Sequence, residues 1–138
     1  MNETPLETAA PPTTEVVLVR PHATALRSLR LAEFVGISAE SAGTRGIAMG
    51  LVVIPPGAVA EPHIHPDHET VIYLLEGRVD LRWGDGLAQQ TICQAGEFVL
   101  TPAGVPHQPR NMSVTEPVYG VFARTDPREY EDAVPYGG

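Results

Sequence analysis

The sequence predicts an all-β domain, a sandwich or closed barrel of short strands, and three observations carry that prediction. Glycine and proline supply 13 and 14 of the 138 residues, and they interrupt the chain too often for long helices. The segments between them are short runs rich in β-branched and aromatic residues. Turn signals return roughly every 8 to 12 residues, the rhythm of a sandwich or barrel.

Residues 1–14 are rich in Pro, Thr, Ala and Glu and are expected to form a disordered arm. Val16–Arg20 is a compact β-branched run ended by Pro21. Ala23–Phe34 has a spacing that suits either an amphipathic helix or a strand pair, and both readings stay open. Ile47–Ile54 (IAMGLVVI) is a strongly apolar strand stopped by Pro55-Pro56-Gly57. Thr70–Leu75 (TVIYLL) follows, then a turn at Glu76-Gly77, then Arg78–Trp83 (RVDLRW) with polar and apolar residues alternating. Trp83-Gly84-Asp85-Gly86 reads as a hairpin-type turn. Glu97–Thr101 runs into a Pro/Gly turn, and Pro117–Arg124 (PVYGVFAR) is a last strand. Residues 126–138 (DPREYEDAVPYGG) are polar, acidic and expected as a flexible tail. The folded domain is therefore placed at residues 15–125, without internal repeats.

A chain of this length buries a real core without disulfides or a structural metal. Any metal site is then expected to serve chemistry or ligand binding. The net charge is −8, from 9 Lys+Arg against 17 Asp+Glu, which excludes the clustered positive charge that nucleic acids or anionic membranes require. Several of the acids fall in the two terminal stretches, so the balance bears more on solubility than on substrate. The single cysteine, Cys93, permits no intrachain disulfide and reads as a small buried hydrophobe. The N-terminus lacks a basic start and an apolar core, as a secretory signal would have, and no run is long enough to span a membrane. A cytoplasmic address is expected.

Five histidines are present, and three crowd the segment Pro62-His63-Ile64-His65-Pro66-Asp67-His68-Glu69. In extended chain, side chains two apart share a face, roughly 6–7 Å from one another. His63 and His65 therefore aim two imidazoles at one point, with Ile64 turned away. Glu69, at the start of the next strand, is placed to close a third side. Two imidazoles and a carboxylate on adjoining elements form a recurrent site for Fe(II), Mn(II) and similar ions. An isolated His-x-His pair is more often a solvated loop feature; here the surroundings change the reading.

Gly57, five residues, His63-x-His65, three residues, Glu69, seven residues and Gly77 together resemble the first motif of the cupin superfamily. Gly96, five residues, Pro102-x-Gly104, two residues, His107, three residues and Asn111 match the second motif at every position. The resemblance covers residues 45–125. It implies a single-domain jelly-roll β-barrel, also termed a double-stranded β-helix, with a divalent metal in its mouth: Fe, Mn, Ni, Cu or Zn. His63, His65, Glu69 and His107 map to the ligands, and Asn111 reads as a turn-stabilising residue. One departure is visible: the spacing from Glu69 to Gly77 is one residue longer than usual. Counting back from Gly77 puts Thr70 at the carboxylate position; counting forward from His65 gives Glu69. Glu69 is preferred, the extra residue being absorbed as a bulge at the strand start; without it a three-histidine site remains, closer to Zn than to Fe.

Two further residues are weaker catalytic candidates. His68 adjoins the ligands as a solvated or outer-layer base, and Tyr73 shares strand parity with Glu69. His22, outside the motifs, is expected on the surface; Gln108 points either into or out of the barrel. The fold hosts many reactions and names none. The ligand set narrows the choice: three imidazoles and one carboxylate leave a six-coordinate divalent ion two open positions, and a metal-dependent enzyme on a small organic substrate, dioxygenase-like in class, is expected. The alternatives are a Zn or Ni Lewis-acid cyclase, isomerase or lyase, and a non-catalytic small-molecule-binding cupin. A homodimer is expected for a cupin of this size, with Val16–Arg20 as a candidate exchanged strand, and neither nucleic acid nor membrane as partner.

Overall fold

Strand alternation sorts this chain into two faces, and the faces assemble two five-stranded antiparallel sheets. The computed structural model describes residues 13–21, 33–130 and 132–137. Within them the elements run β1 (Glu33–Ile37), a single-turn helix α1 (Ala39–Ala42), β2 (Ala48–Ile54), β3 (His63–Ile64), β4 (Thr70–Glu76), β5 (Arg78–Trp83), β6 (Gln89–Gln94), β7 (Phe98–Thr101), β8 (His107–Asn111), β9 (Val118–Arg124) and β10 (Val134–Pro135). One sheet has the order β1-β2-β9-β4-β7 and the other β10-β3-β8-β5-β6. The architecture is the expected all-β jelly roll.

The inner faces meet over Leu74, Val79, Cys93 and Val118, each less than a tenth exposed, with Ile54, Ile72, Leu81 and Val99 packed against them. Cys93 is thus the small buried hydrophobe expected, and burial pushes its thiol above the usual range. Gly77 turns β4 into β5 with φ of 94°, and a Cβ there would lie 2.7 Å from Val118 Cγ2. The motif glycine is required both by the turn and by the core beneath it.

The two outer faces differ. On the first sheet, register aligns Phe34, Leu51, Val121, Tyr73 and Phe98 in one row and Ile37, Met49, Ala123, Val71 and Leu100 in the next. These positions lie on the face turned away from the core and would ordinarily be polar, and every one is apolar or aromatic apart from the Tyr73 hydroxyl. On the second sheet the corresponding face carries Asp80, Arg82, Gln90 and Arg110. Asp80 is almost fully covered and accepts from Arg110 at 2.9 Å, Arg82 at 3.1 Å and Gln90 at 3.0 Å.

The Arg110 guanidinium, aided by Arg82 and Gln90, holds the Asp80 carboxyl at about 2, below its ordinary 3.8. Asp126 is held at about 2 as well, chiefly by the bidentate Arg128 guanidinium. Because both folded-state values lie below the unfolded ones, the stabilisation is complete above about pH 4 and is lost as pH falls toward 2. With the arginines partly exposed, each carboxylate contributes about 1 kcal/mol after solvent screening. Acid titration followed by circular dichroism is expected to show Asp80→Asn flattening the stability loss between pH 4 and 2.

Val16–Arg20 belongs to neither sheet of this chain among the described residues, with Val16 fully exposed and Leu18 largely so. One expectation is corrected here. The C-terminal stretch is not a loose tail over its described residues. β10 pairs with β3, Tyr136 N–H donates to the Pro62 carbonyl at 3.0 Å, and the Tyr136 hydroxyl accepts from Gly86 N–H at 2.7 Å. Residues 1–12 and 22–32, which hold most of the expected arm, His22 and nearly all of the open stretch 23–34, lie outside the described residues; β1 begins at Glu33. No helix among the described residues is long and apolar enough to cross a membrane.

Candidate metal centre

Three of the four expected ligands converge. Strand β3 pairs with β8 so that His63 stands opposite His107. His65 follows β3 by one residue beyond Ile64, and its carbonyl is held by Gly104 N–H at 2.8 Å. The loop that delivers His107 is fixed from the other side by Gly84 N–H, which donates to the Pro106 carbonyl at 2.9 Å. The imidazole centroids of His63, His65 and His107 lie 4.2–5.0 Å apart, and one ring nitrogen from each falls within 4.8 Å of the others.

The tautomers of two rings follow from their partners. His63 Nδ1 lies 2.8 Å from the Glu61 carbonyl and His107 Nδ1 3.0 Å from the Val105 carbonyl. A carbonyl only accepts, so both Nδ1 atoms carry the proton and both Nε2 atoms keep a lone pair. This is the arrangement that orients and strengthens metal-binding imidazoles. The donor set fits a divalent transition ion.

Glu69 is not with them. Its side chain is exposed, while its backbone is clamped to Thr125: Glu69 N–H donates to Thr125 Oγ1 at 3.0 Å, and Thr125 N–H to the Glu69 carbonyl at 3.1 Å. The reason is register. β4 starts at Thr70, paired with Arg124 and Thr101, and turns Thr70, Ile72 and Leu74 toward the interior. Pairing with β9 is regular from Thr70 to Leu74 and slips only between Leu74 and Glu76, so the irregularity lies at the end of the strand and not at its start. Thr70 therefore occupies the inward position where the carboxylate was expected.

The same parity corrects Tyr73. It shares a face with Glu69, as expected, but that face is the outer one, where its ring packs 4.6 Å from Phe98. His68 is buried rather than solvated: its ring lies 4.7 Å from that of His65, and Nδ1 lies 3.8 Å from Asp126 Oδ2. Asp126, counted among the tail acids in the sequence, is thus part of the support behind His65. Asn111 is the turn-stabilising residue expected. Its Nδ2 donates to the carbonyls of Ile54, Pro55 and Glu116 at 2.8–3.1 Å, and its Oδ1 accepts from Ser113 N–H at 2.8 Å. Gln108 alternates with His107 and faces away from the interior, beside Arg82.

The three imidazoles open into a cavity of about 290 Å³ between the sheets. Its walls are mostly aliphatic, with Val52, Ile72, Leu74, Leu81 and Val99 among them, and Thr70 and Thr101 supply hydroxyls. Thr70 Oγ1 is buried without a hydrogen-bond partner among the described residues. Glu33 is the one acid among the described lining residues, and its carboxylate pairs with the fully buried Arg124 guanidinium at 3.1 Å.

Comparison with known proteins agrees with this fold. The cupin domain family matches residues 50–122. An oxalate oxidase of Triticum aestivum, GF-3.8, is 31% identical over 108 residues, covering 74% of this chain and 46% of that protein. Among solved structures, a conserved protein with a double-stranded β-helix domain from Klebsiella pneumoniae superposes with a TM-score of 0.61 at 17% identity, covering 87% of this chain and 91% of that one. The oxalate decarboxylase of Lactobacillus farciminis, in its formate complex, superposes with a TM-score of 0.65 at 22% identity, over 85% of this chain and 33% of that one. The chain spans less than half the length of the curated relatives it matches. At these identities the structural likenesses establish the fold.

Proposed function

We propose, from the premise that this chain belongs to the cupin domain family, that it is a divalent-metal enzyme acting on a small organic substrate, dioxygenase-like in class. The observation that carries the metal reading is the convergence of His63, His65 and His107, with Nε2 of His63 and His107 freed by their backbone partners. Likeness to an oxalate oxidase supports chemistry that uses oxygen. An ion bound there supplies open coordination positions and Lewis acidity. The chain's own residues do the rest: the aliphatic walls exclude water, Thr70 offers a hydroxyl, and the buried His68–Asp126 pair steadies His65 from behind.

A second reading has its own observation. With Glu69 outside and Thr70 inside, the ligand set is three neutral imidazoles, which suits Zn and Lewis-acid cyclase, isomerase or lyase chemistry. Metal analysis of the purified protein, followed by oxygen-electrode assays of the Fe- and Zn-loaded forms on diols, thiols, diketones and carboxylic acids, separates the two. Oxygen uptake confined to the Fe form is the expected result. Turnover by the Zn form without oxygen would replace the first reading with the second. A tightly held ligand with no turnover in either form would leave a binding protein.

We also propose a homodimer packed through the outer face of the β1-β2-β9-β4-β7 sheet. Phe98 is 79% exposed, Leu100 53%, Met49 48% and Val71 44%. A contiguous apolar face of five strands is a surface that a soluble monomer avoids and a two-fold partner covers. Light scattering is expected to give twice 14.8 kDa for the wild type and the monomer mass for Phe98→Asp/Leu100→Asp. A wild type that stays monomeric at tens of micromolar would refute it.

A further inference from the structure

Resting on the metal reading above, the geometry points to a narrower ligand class: we propose that the chamber takes a small organic monoanion with an apolar body, its charged end at the three histidines and beside Thr70 Oγ1.

Charge is the first argument. The three imidazoles contribute no negative charge when they act through nitrogen lone pairs, so a divalent ion held by them keeps its full charge. Among the described residues no carboxylate stands with the three histidines to offset it, Asp126 being a layer further out behind His68. Glu69 faces solvent, and the only acid on the described lining, Glu33, is already compensated by Arg124. Inside a poorly hydrated chamber that uncompensated charge selects an anion.

The walls supply the second argument. About 290 Å³ is near the lower end of ligand cavities and equals roughly ten water volumes. Away from the histidines the lining is mostly aliphatic, Val52, Ile54, Ile72, Leu74, Leu81 and Val99 among it, with Thr101 and the Arg124-paired Glu33 as its polar members beside Thr70. A dianion whose second carboxylate stands away from the ion, as in succinate, would set that charge against these side chains, with no cation on the described lining to pair it. An aliphatic tail there removes apolar surface from water on both sides. Thr70 Oγ1, buried and lacking a partner among the described residues, gains an acceptor when a carboxylate arrives.

The test uses the Co(II)-loaded full-length protein, with visible absorption as the readout, titrated separately with hexanoate, succinate and hexan-1-ol, which are similar in size and differ in charge and its placement. Hexanoate is expected to perturb the Co(II) bands and to bind at least tenfold more tightly than succinate, with hexan-1-ol silent. Thr70→Val, nearly isosteric and checked by circular dichroism, is expected to weaken hexanoate severalfold while leaving Co(II) stoichiometry unchanged. Succinate binding as well as hexanoate, or hexan-1-ol competing equally, would overturn the ligand class and leave the metal site standing. Failure to bind Co(II) at all would remove the metal reading, and this inference with it.

Discussion

Replacing His63 and His107 together by alanine is expected to abolish metal retention, with stoichiometry falling from near one ion per chain to background. The two rings face each other across the β3–β8 pairing, at 4.2 Å between centroids. Each is oriented by a backbone carbonyl rather than by a movable side chain. Their removal leaves only His65, and one imidazole holds a divalent ion too weakly to survive purification. Outer-layer partners alone alter metal affinity by roughly 10- to 100-fold, so loss of two ligands should exceed 100-fold. The rings line the cavity and are not members of the apolar cluster of Leu74, Val79, Cys93 and Val118, so the variant should remain folded. Thermal unfolding supplies the control. Added metal should raise the wild-type midpoint and leave that of the variant unchanged. Equal metal content in both proteins would place the ion elsewhere.

Asn111→Leu is expected to be the most damaging single substitution outside the core, costing about 3–5 kcal/mol. The side chain is 2% exposed and ties three carbonyls, those of Ile54, Pro55 and Glu116, to the Ser113 amide. These groups lie where β2 ends and where the chain enters β9, so one amide closes the bottom of both sheets. Leucine matches the volume and supplies no donor, leaving buried carbonyls to find water or to separate the loops. In a domain of this size the cost corresponds to a fall in midpoint on the order of 10 °C or more. A cost below about 1 kcal/mol would mean that the loops satisfy those carbonyls without Asn111.

The grouping of the histidines was legible partly from spacing and partly from the motif resemblance. His63 and His65, two apart in extended chain, share a face in the structure as period-2 geometry requires, and His107 and Asn111 fall where the second motif resemblance puts them. Glu69 was misread for a physical reason. A shift of one residue in strand register exchanges inside for outside, and the choice between Glu69 and Thr70 depends on where β4 starts to pair with β9, which no local pattern reveals. Tyr73 inherited the same error. The C-terminal stretch was misread because acidic residues with two prolines have the composition of a tail; its order comes from the Tyr136 contacts and from the pairing of Val134 with Ile64, far away in sequence. The Glu33–Arg124 and His68–Asp126 pairs likewise join residues about 60 to 90 positions apart, a separation that no periodicity reports. By contrast, the apolar outer face of the first sheet was visible as runs such as TVIYLL without alternation, although the runs alone did not say which side is buried.

The central claim is a metal centre of three histidines, without a protein carboxylate, facing an apolar chamber. X-ray absorption spectroscopy of the Zn- or Co-loaded protein tests it most directly, with Glu69→Gln and Thr70→Glu measured alongside. Three imidazoles with the remaining positions filled by water, a wild-type spectrum unchanged in Glu69→Gln, and a new oxygen ligand in Thr70→Glu are the predicted results. A spectrum that loses a carboxylate oxygen in Glu69→Gln, or one with fewer than three imidazoles in the wild type, would contradict it.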